Sequence, residues 1–380
     1  MNLAEVGYQL KLKKMEITDK RLLSIDILRG FTIIFMIIVN DPGSWSHVYT
    51  PLLHAKWNGI TPTDYVFPTF LFIVGVSIVL SLSEKVENKI SKKTILKKIF
   101  WRSLKIYLVG LFLWLWPNFD FENIRWAGVL QRISLVYLFT SLIFIYSNFR
   151  SQIILLFIII IGYTSLMCFT PIPGIGYPDL SVPEKNWAHY IDSILLPGVM
   201  WRETWDPEGI LSTIPSIGTG ILGLIAGNLL IKKNNIEKKM LYIGVFSFIL
   251  LFFGDIFQYI FPLNKNIWST SFMLLVGGIS SFSLFFCIYI CDYLNLGNKL
   301  KFPHSFGVNS IFSYVLAGML TLIFYSDKLW GIGLNKLFMD NFGELGISLK
   351  LLSFIYAFFY VMIIWLPTLF LFKRKIYIKL

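Results

Sequence analysis

The sequence predicts an all-helical bundle embedded in a membrane, with about ten spanning helices and both termini in the cytoplasm. Three observations carry this. Hydrophobic residues make up 56% of the 380 positions, charged residues only 15%, and the mean hydropathy is +0.66. A soluble domain carries about 25% charged residues, so this chain cannot cover a water-facing surface in the usual way. Apolar runs long enough to cross roughly 30 Å of hydrocarbon recur along the chain, without the short alternating pattern of a membrane β-barrel. Finally, the segments between the runs sort by charge. An ordinary cytosolic enzyme, a disordered protein and a secreted disulfide scaffold are thereby excluded. Lys+Arg 34 against Asp+Glu 22 gives +12. In a soluble protein that excess suggests nucleic acid; here it reads as the bias of cytoplasmic loops toward positive charge, with no nucleic-acid partner.

The first run, 23–40, follows a charged tail (1–22) and lacks a small-residue cleavage site, so it reads as a span and not a removable signal peptide. The second, 64–83, opens on Pro62 and Asp64, and Asp64 is placed to cap its helix. The third, 98–116, follows a loop holding Lys85, Lys89, Lys92, Lys93, Lys97 and Lys98. Runs 128–147 and 151–171 come next, then 209–231, which is rich in glycine and suited to close helix packing. Lys232, Lys233, Lys238 and Lys239 separate it from 240–262. The remaining runs are 267–291, 305–325 and 347–372, and the last tail (373–380) carries Lys373, Arg374, Lys375 and Lys379. The basic tails and loops alternate with segments poor in Lys and Arg, which puts both ends of the chain on the cytoplasmic side. The spans form one domain, 23–372. Its external segments 41–63, 172–208 and 326–346 are too long for simple turns and are expected to bind something or cover a cavity. Cys168, Cys287 and Cys291 lie in apolar runs as buried hydrophobes and form no disulfide framework.

Ionisable residues inside spans are costly and are functional candidates by default. Toward the cytoplasmic face lie Asp26 and Arg29, Arg102 and Lys105, and Asn309. Asp26 and Arg29 are three apart and fit a simple pair on one helix face. Arg102 and Lys105 have the same spacing but like charge; they suit lipid phosphates or an anionic ligand. Toward the outer face lie Asn40, Asp64, Gln131 and Arg132, and the loops add His54, Asp206, Glu208, Lys265 and Trp268. The four histidines, His47, His54, His189 and His304, lack the clustering a metal site needs. His54 differs in setting. It lies in LLHAKWNGITPTDYVFPTFLFIVG, a polar, aromatic loop running into a span, where an imidazole is a natural general base at neutral pH.

RLLSIDILRGFTIIFMIIVN, followed by LLHAKWNGITPTDYVFPTFLFIVGVSIVLSL, closely resembles the heparan-α-glucosaminide N-acetyltransferase family. The likeness continues in order through WRSLKIYLVG, IRWAGVLQRISLVYL, WDPEGILSTIPSIGTGILGLIAG, LNKNIWSTSFML and GVNSIFSYV. It covers most of residues 20–325. The resemblance implies a bacterial member in the inner membrane, moving the acetyl group of cytosolic acetyl-CoA to an amino sugar outside. It maps the family's catalytic histidine onto His54 and an important asparagine onto Asn40. Here Asn40 is followed by DPGSW in place of a glycine-rich stretch, and 172–208 is shorter than in the lysosomal enzyme, which weakens heparan itself as the acceptor. A homodimer among membrane lipids is the expected assembly, with no metal.

On this reading Arg102 and Lys105 grip the CoA phosphates, with Arg29, Asn309 and Trp268 assisting. Asn40 donates to the thioester oxygen. His54 takes the amine proton directly, or carries the acetyl group covalently, and Asp64 or Glu208 orients its ring. Trp57, Arg132, Asp206, Glu208 and Lys265 line the acceptor mouth, and Trp45, Trp57, Trp205 and Trp268 offer faces for a sugar. The rival readings are an acyltransferase for another envelope glycan or lipid, and a small-solute transporter built on the same embedded charges.

Overall fold

The computed structural model describes residues 22–231 and 235–378. The tail 1–21, Lys232, Lys233 and Lys379, all read above as cytoplasmic charge, lie outside the described residues. Among the described residues there are thirteen α-helices: α1 (Leu23–Asn40), α2 (Val66–Glu87), α3 (Lys92–Leu115), α4 (Val129–Tyr146), α5 (Phe149–Phe169), α6 (Trp187–Leu195), α7 (Thr213–Ile231), α8 (Ile236–Phe257), α9 (Thr270–Ile288), α10 (Lys301–Val308), α11 (Ser310–Phe324), α12 (Leu334–Gly343) and α13 (Leu349–Lys373). The described residues contain three isolated β-bridges and no named strand. A polytopic helical membrane protein is what the composition called for, because only a helix satisfies its own backbone in hydrocarbon.

Eight helices among the described residues are long and apolar enough to span, or nine if one bent pair counts as a single span. The runs read from sequence differ at two places. The run 98–116 is a helix, α3, but the six cationic residues of that helix, at 92, 93, 97, 98, 102 and 105, lower its hydropathy below that of its neighbours. The run 305–325 is not a straight span. It breaks at Asn309 into α10 and α11, which meet at 87°. Asn309 leaves helical geometry (φ −119, ψ 37) and is fully buried. Its amide donates to the Ile376 carbonyl (3.2 Å) and accepts from Ile378 N (2.9 Å). The side chain at the break is thus anchored on the backbone of the carboxyl tail.

α1, α2 and α7 form the centre: 72%, 67% and 72% of their apolar windows are buried, against 22% for α8 and 33% for α5 and α13. α2 and α7 touch backbone to backbone. A Cβ on Gly75 would overlap the Gly220 carbonyl, and one on Gly223 would overlap that of Phe72. The glycines of 209–231 therefore serve packing, the small-residue contact of membrane helices. α8 lies along α9, α3 along α4, and α10 against α1.

The connections gather at two poles. Leu22, the turns 88–91 and 294–300, and the tail 374–378 share one, here the tail pole. The segments 41–65, 116–128, 170–212, 258–269 and 325–348 share the other, the loop pole. There they bond one another: Trp57 and Asn58 donate to the Leu180 carbonyl (2.9 and 3.0 Å), Asn264 to Asn58 (2.9 Å), and the Tyr325 hydroxyl to the Asp41 carbonyl (2.6 Å).

Candidate active site

At the loop pole the chain turns into α2 through a 3-10 turn, Pro62–Tyr65. Asp64 caps that turn, its Oδ2 accepting from Thr61 N (3.0 Å) and Ala55 N (3.1 Å). Its other oxygen lies 2.6 Å from His54 Nδ1. The carboxylate has 1% side-chain exposure and the imidazole 45%. One buried acid therefore shapes the loop and orients the ring. With Nδ1–H donating to Asp64, the tautomer is set and Nε2 offers its lone pair outward. A charge gained at Nε2 would face the carboxylate across the ring.

Lys265 completes the group from 211 residues away, its Nζ 3.5 Å from Asp64 Oδ1, 3.0 Å from His54 Nδ1 and 3.4 Å from His54 Nε2. Burial pulls the Lys265 ammonium below the usual lysine range, opposed by the charges of Asp64 and Glu208. It is held by the 258–269 loop, where Asn264 Oδ1 accepts from Asn266 N (2.8 Å) and Ile267 N (3.2 Å).

Arg125 organises the surrounding cap. Its Nε and Nη2 grip both oxygens of Asp206 (2.7 Å each), and Nη2 also reaches Glu208 (2.6 Å). Trp201 lies 5.0 Å from the guanidinium. Asp206 also accepts from Trp201 N and Glu208 N, so its oxygens are engaged within the protein. The acids raise the Arg125 guanidinium above its ordinary value despite burial. Asp192, on α6, accepts from Ile210 N (2.8 Å); burial lifts its carboxyl to about 6.

Arg132 is 1% exposed. It donates to the Gly209 carbonyl (3.1 Å) and the Ser212 hydroxyl and stacks 5.1 Å above Trp268. Trp268 is itself core: its indole donates to Thr219 (3.0 Å), edge-on to Phe67 and Phe272. Trp57 packs against Trp205 (5.1 Å). Asn40 ends α1 exposed, with no hydrogen bond to His54 or Asp64.

A cavity of about 580 Å³ opens at the tail pole. Arg29, Arg102 and Lys239 line it, with Asp26, Ser77 and Ile378. Arg29 is held by Ser77 (2.7 Å), Asp26 (3.1 Å) and the Gly307 carbonyl (3.3 Å), and Arg102 lies 4.9 Å from the Tyr137 ring. Toward the bundle centre the lining reaches Phe70 and Ile133. Phe70 stands six residues after Asp64, roughly 9 Å along a helix axis. Phe67, Trp268 and Arg132 occupy the layer between.

The structure thus joins His54, Asp64 and Lys265, and separately joins Arg29 and Arg102. It places Lys105 exposed and outside the cavity lining, Asn309 against the tail backbone, and Trp268 in the core. Sequence reading passed over Arg125 and gave Lys239 only a topological role. Arg125 carried a signal, standing in the quoted IRWAGVLQRI stretch; Lys239 carried none beyond its charge. Among the described residues no three His, Cys, Asp or Glu side chains are grouped to hold a metal ion.

Comparison with known proteins places this geometry. A family model described as heparan-alpha-glucosaminide N-acetyltransferase, catalytic, matches residues 21–259. The heparan-alpha-glucosaminide N-acetyltransferase of Homo sapiens is 30% identical over 358 residues, covering 78% of this chain and 52% of the relative. That of Mus musculus is 29% identical over 353 residues, covering 78% and 53%. The chain spans about half the length of the curated relatives it matches.

Proposed function

The chain belongs to the heparan-alpha-glucosaminide N-acetyltransferase catalytic family, and from that premise we propose that it transfers an acetyl group from acetyl-CoA, taken up at the tail pole, to an amino sugar at the loop pole. The observation that carries this is the His54–Asp64 pair, a half-exposed imidazole oriented by a buried carboxylate. The tail pole faces the cytoplasm on this reading, because Lys85, Lys89, Lys92, Lys93, Lys238, Lys373, Arg374 and Lys375 lie there.

The donor cavity suits a phosphorylated thioester. Arg29, Arg102 and Lys239 supply positive charge at its lining, and its volume lies in the range of small-molecule sites. Acetyl-CoA supplies an acyl carbon activated by a thiol leaving group. His54 Nε2 takes the proton of the attacking amine as the new C–N bond forms and the C–S bond breaks. The thiolate leaves and is protonated to the free thiol. Asp64 holds the ring and stabilises the imidazolium. Lys265, 3.4 Å from Nε2, and the exposed amide of Asn40 are the donors assigned to the oxygen that gains negative charge. One such donor contributes about 10²–10³ in rate. Direct transfer needs only this one proton acceptor, so it is preferred to an acetyl-histidine.

Labelled acetyl-CoA and a panel of amino sugars, offered to the purified protein, test this. Wild type is expected to form an acetamido sugar. His54→Ala should lose about 10²–10⁴ in rate while binding acetyl-CoA normally. Unchanged turnover by the variant would remove His54 from the chemistry.

A further inference from the structure

A second long cavity, about 630 Å³, runs along the opposite side of α1, between it and α9, with the first turn of α2 at its outer end. We propose that it seats the hydrocarbon chain of the acceptor, so that the amino sugar reaching His54 is the headgroup of a membrane lipid. The inference rests on the transferase reading above and specifies its acceptor.

The α1–α2 pair is a partition with a different chemistry on each side. Asp26, Arg29 and Ser77 face the donor cavity. Ile27, Phe31, Phe35 and Val39, at four-residue spacing, form a stripe along the other side. That stripe extends roughly 18 Å along the helix, more than half of the hydrocarbon thickness. Among the described residues, no charged side chain lines this groove. Its three threonine hydroxyls are engaged within the protein: Thr32 with the Arg29 carbonyl (2.7 Å), Thr69 with Ser280 (2.9 Å), Thr63 with the Pro51 carbonyl (3.1 Å); Tyr65 and Ser283 add the remaining hydroxyls of the lining. A polar solute finds few partners there, whereas an alkyl or prenyl chain needs none.

The outer end of the groove separates a substrate from bulk lipid. It is built by Leu52, Pro62 and Thr63, the turn that carries the proposed chemistry. Leu52 precedes His54 by two residues, and Thr63 directly precedes Asp64. A chain lying in the groove therefore brings its headgroup out beside the imidazole. The acceptor would approach the turn through a passage of matching polarity, while the donor cavity ends one side-chain layer short of it, at Phe70 and Ile133. Seating the chain also concentrates a sparse headgroup at the base.

The test uses two acceptors with the same glucosamine headgroup, a methyl glycoside and a long-chain alkyl glycoside, with the full-length protein in nanodiscs. Wild type is expected to favour the long-chain acceptor by about tenfold or more in kcat/KM, since the seated chain holds the headgroup beside the base. Ser283→Trp, which fills the groove from α9, should collapse that ratio about tenfold. Equal rates for the two acceptors, or a ratio that Ser283→Trp leaves intact, would overturn the inference. A second readout needs no turnover. A glucosaminyl lipid with a photoreactive tail should label the Phe35–Phe282 region and be displaced by the long-chain glycoside but not by plain phospholipid. Displacement by phospholipid, or a photo-crosslink joining two protein chains across the groove, also overturns it. If competable labelling occurs while neither acceptor is acetylated, the transferase reading fails and the lipid site stands.

Discussion

His54 acts through a carboxylate that has two tasks. Asp64 caps the turn entering α2 with one oxygen and orients the imidazole with the other. Asp64→Asn keeps the size of the cap but reverses the partner offered to Nδ1, and the wrong tautomer then faces the amine. The expected result is a loss on the order of 10²–10⁴ in kcat with acetyl-CoA affinity retained; a variant with wild-type kcat would show that the ring needs no orienting acid. Asp192 gives a pH signature. Its carboxyl is lifted by burial from 3.8 to about 6, so the folded protein holds this proton more tightly than the unfolded chain. The stability so gained is complete below about pH 3.8 and is lost as pH rises through about 6. Asp192→Asn stays neutral throughout. The melting temperature of wild type relative to that variant should therefore fall between pH 4 and 7, and a constant difference would contradict the assignment. His54 and Asp64 were legible because ten residues separate them in one polar loop. Lys265 and Asp206 were legible as candidates but their partners were not, since the contacts of Lys265 with His54 and of Arg125 with Asp206 join loops that only the fold brings together.

At the scale of elements, the apolar runs were legible because hydrocarbon imposes length and continuity on every span. The break between α10 and α11 was not. It has no glycine or proline at its apex; Asn309 is stable there because its amide meets the backbone of Ile376 and Ile378, a contact 67 and 69 residues distant. The helix α3 was legible as the run 98–116, although its cations keep its hydropathy below that of its neighbours. The glycines of α7 gave a packing expectation that the α2 contact makes specific. Gly223→Ala places a methyl group against the Phe72 carbonyl and should lower the melting temperature in detergent by several degrees. Gly162→Ala, on α5, meets nothing within 4 Å and should be neutral or stabilise by about 0.5–1 kcal/mol. Equal melting temperatures for both variants would mean that α2 and α7 are not in backbone contact.

Across the whole molecule, the two kinds of site lie at opposite poles, and a layer of Phe67, Trp268 and Arg132 stands between them. This separation predicts separable defects. Arg102→Ala should raise the dissociation constant for acetyl-CoA about tenfold, the worth of one charge-assisted contact, and leave the acceptor KM unchanged. Parallel losses in both would assign Arg102 to folding. The most direct measurement of the account is sidedness. Protein is reconstituted into sealed vesicles in one orientation, with labelled acetyl-CoA on the tail-pole side alone and the amino-sugar acceptor on the loop-pole side alone. Acetylated product on the acceptor side, with free CoA thiol remaining on the donor side, is the predicted result. Product that forms only when both substrates share a compartment, or unmodified sugar crossing the membrane, would contradict it.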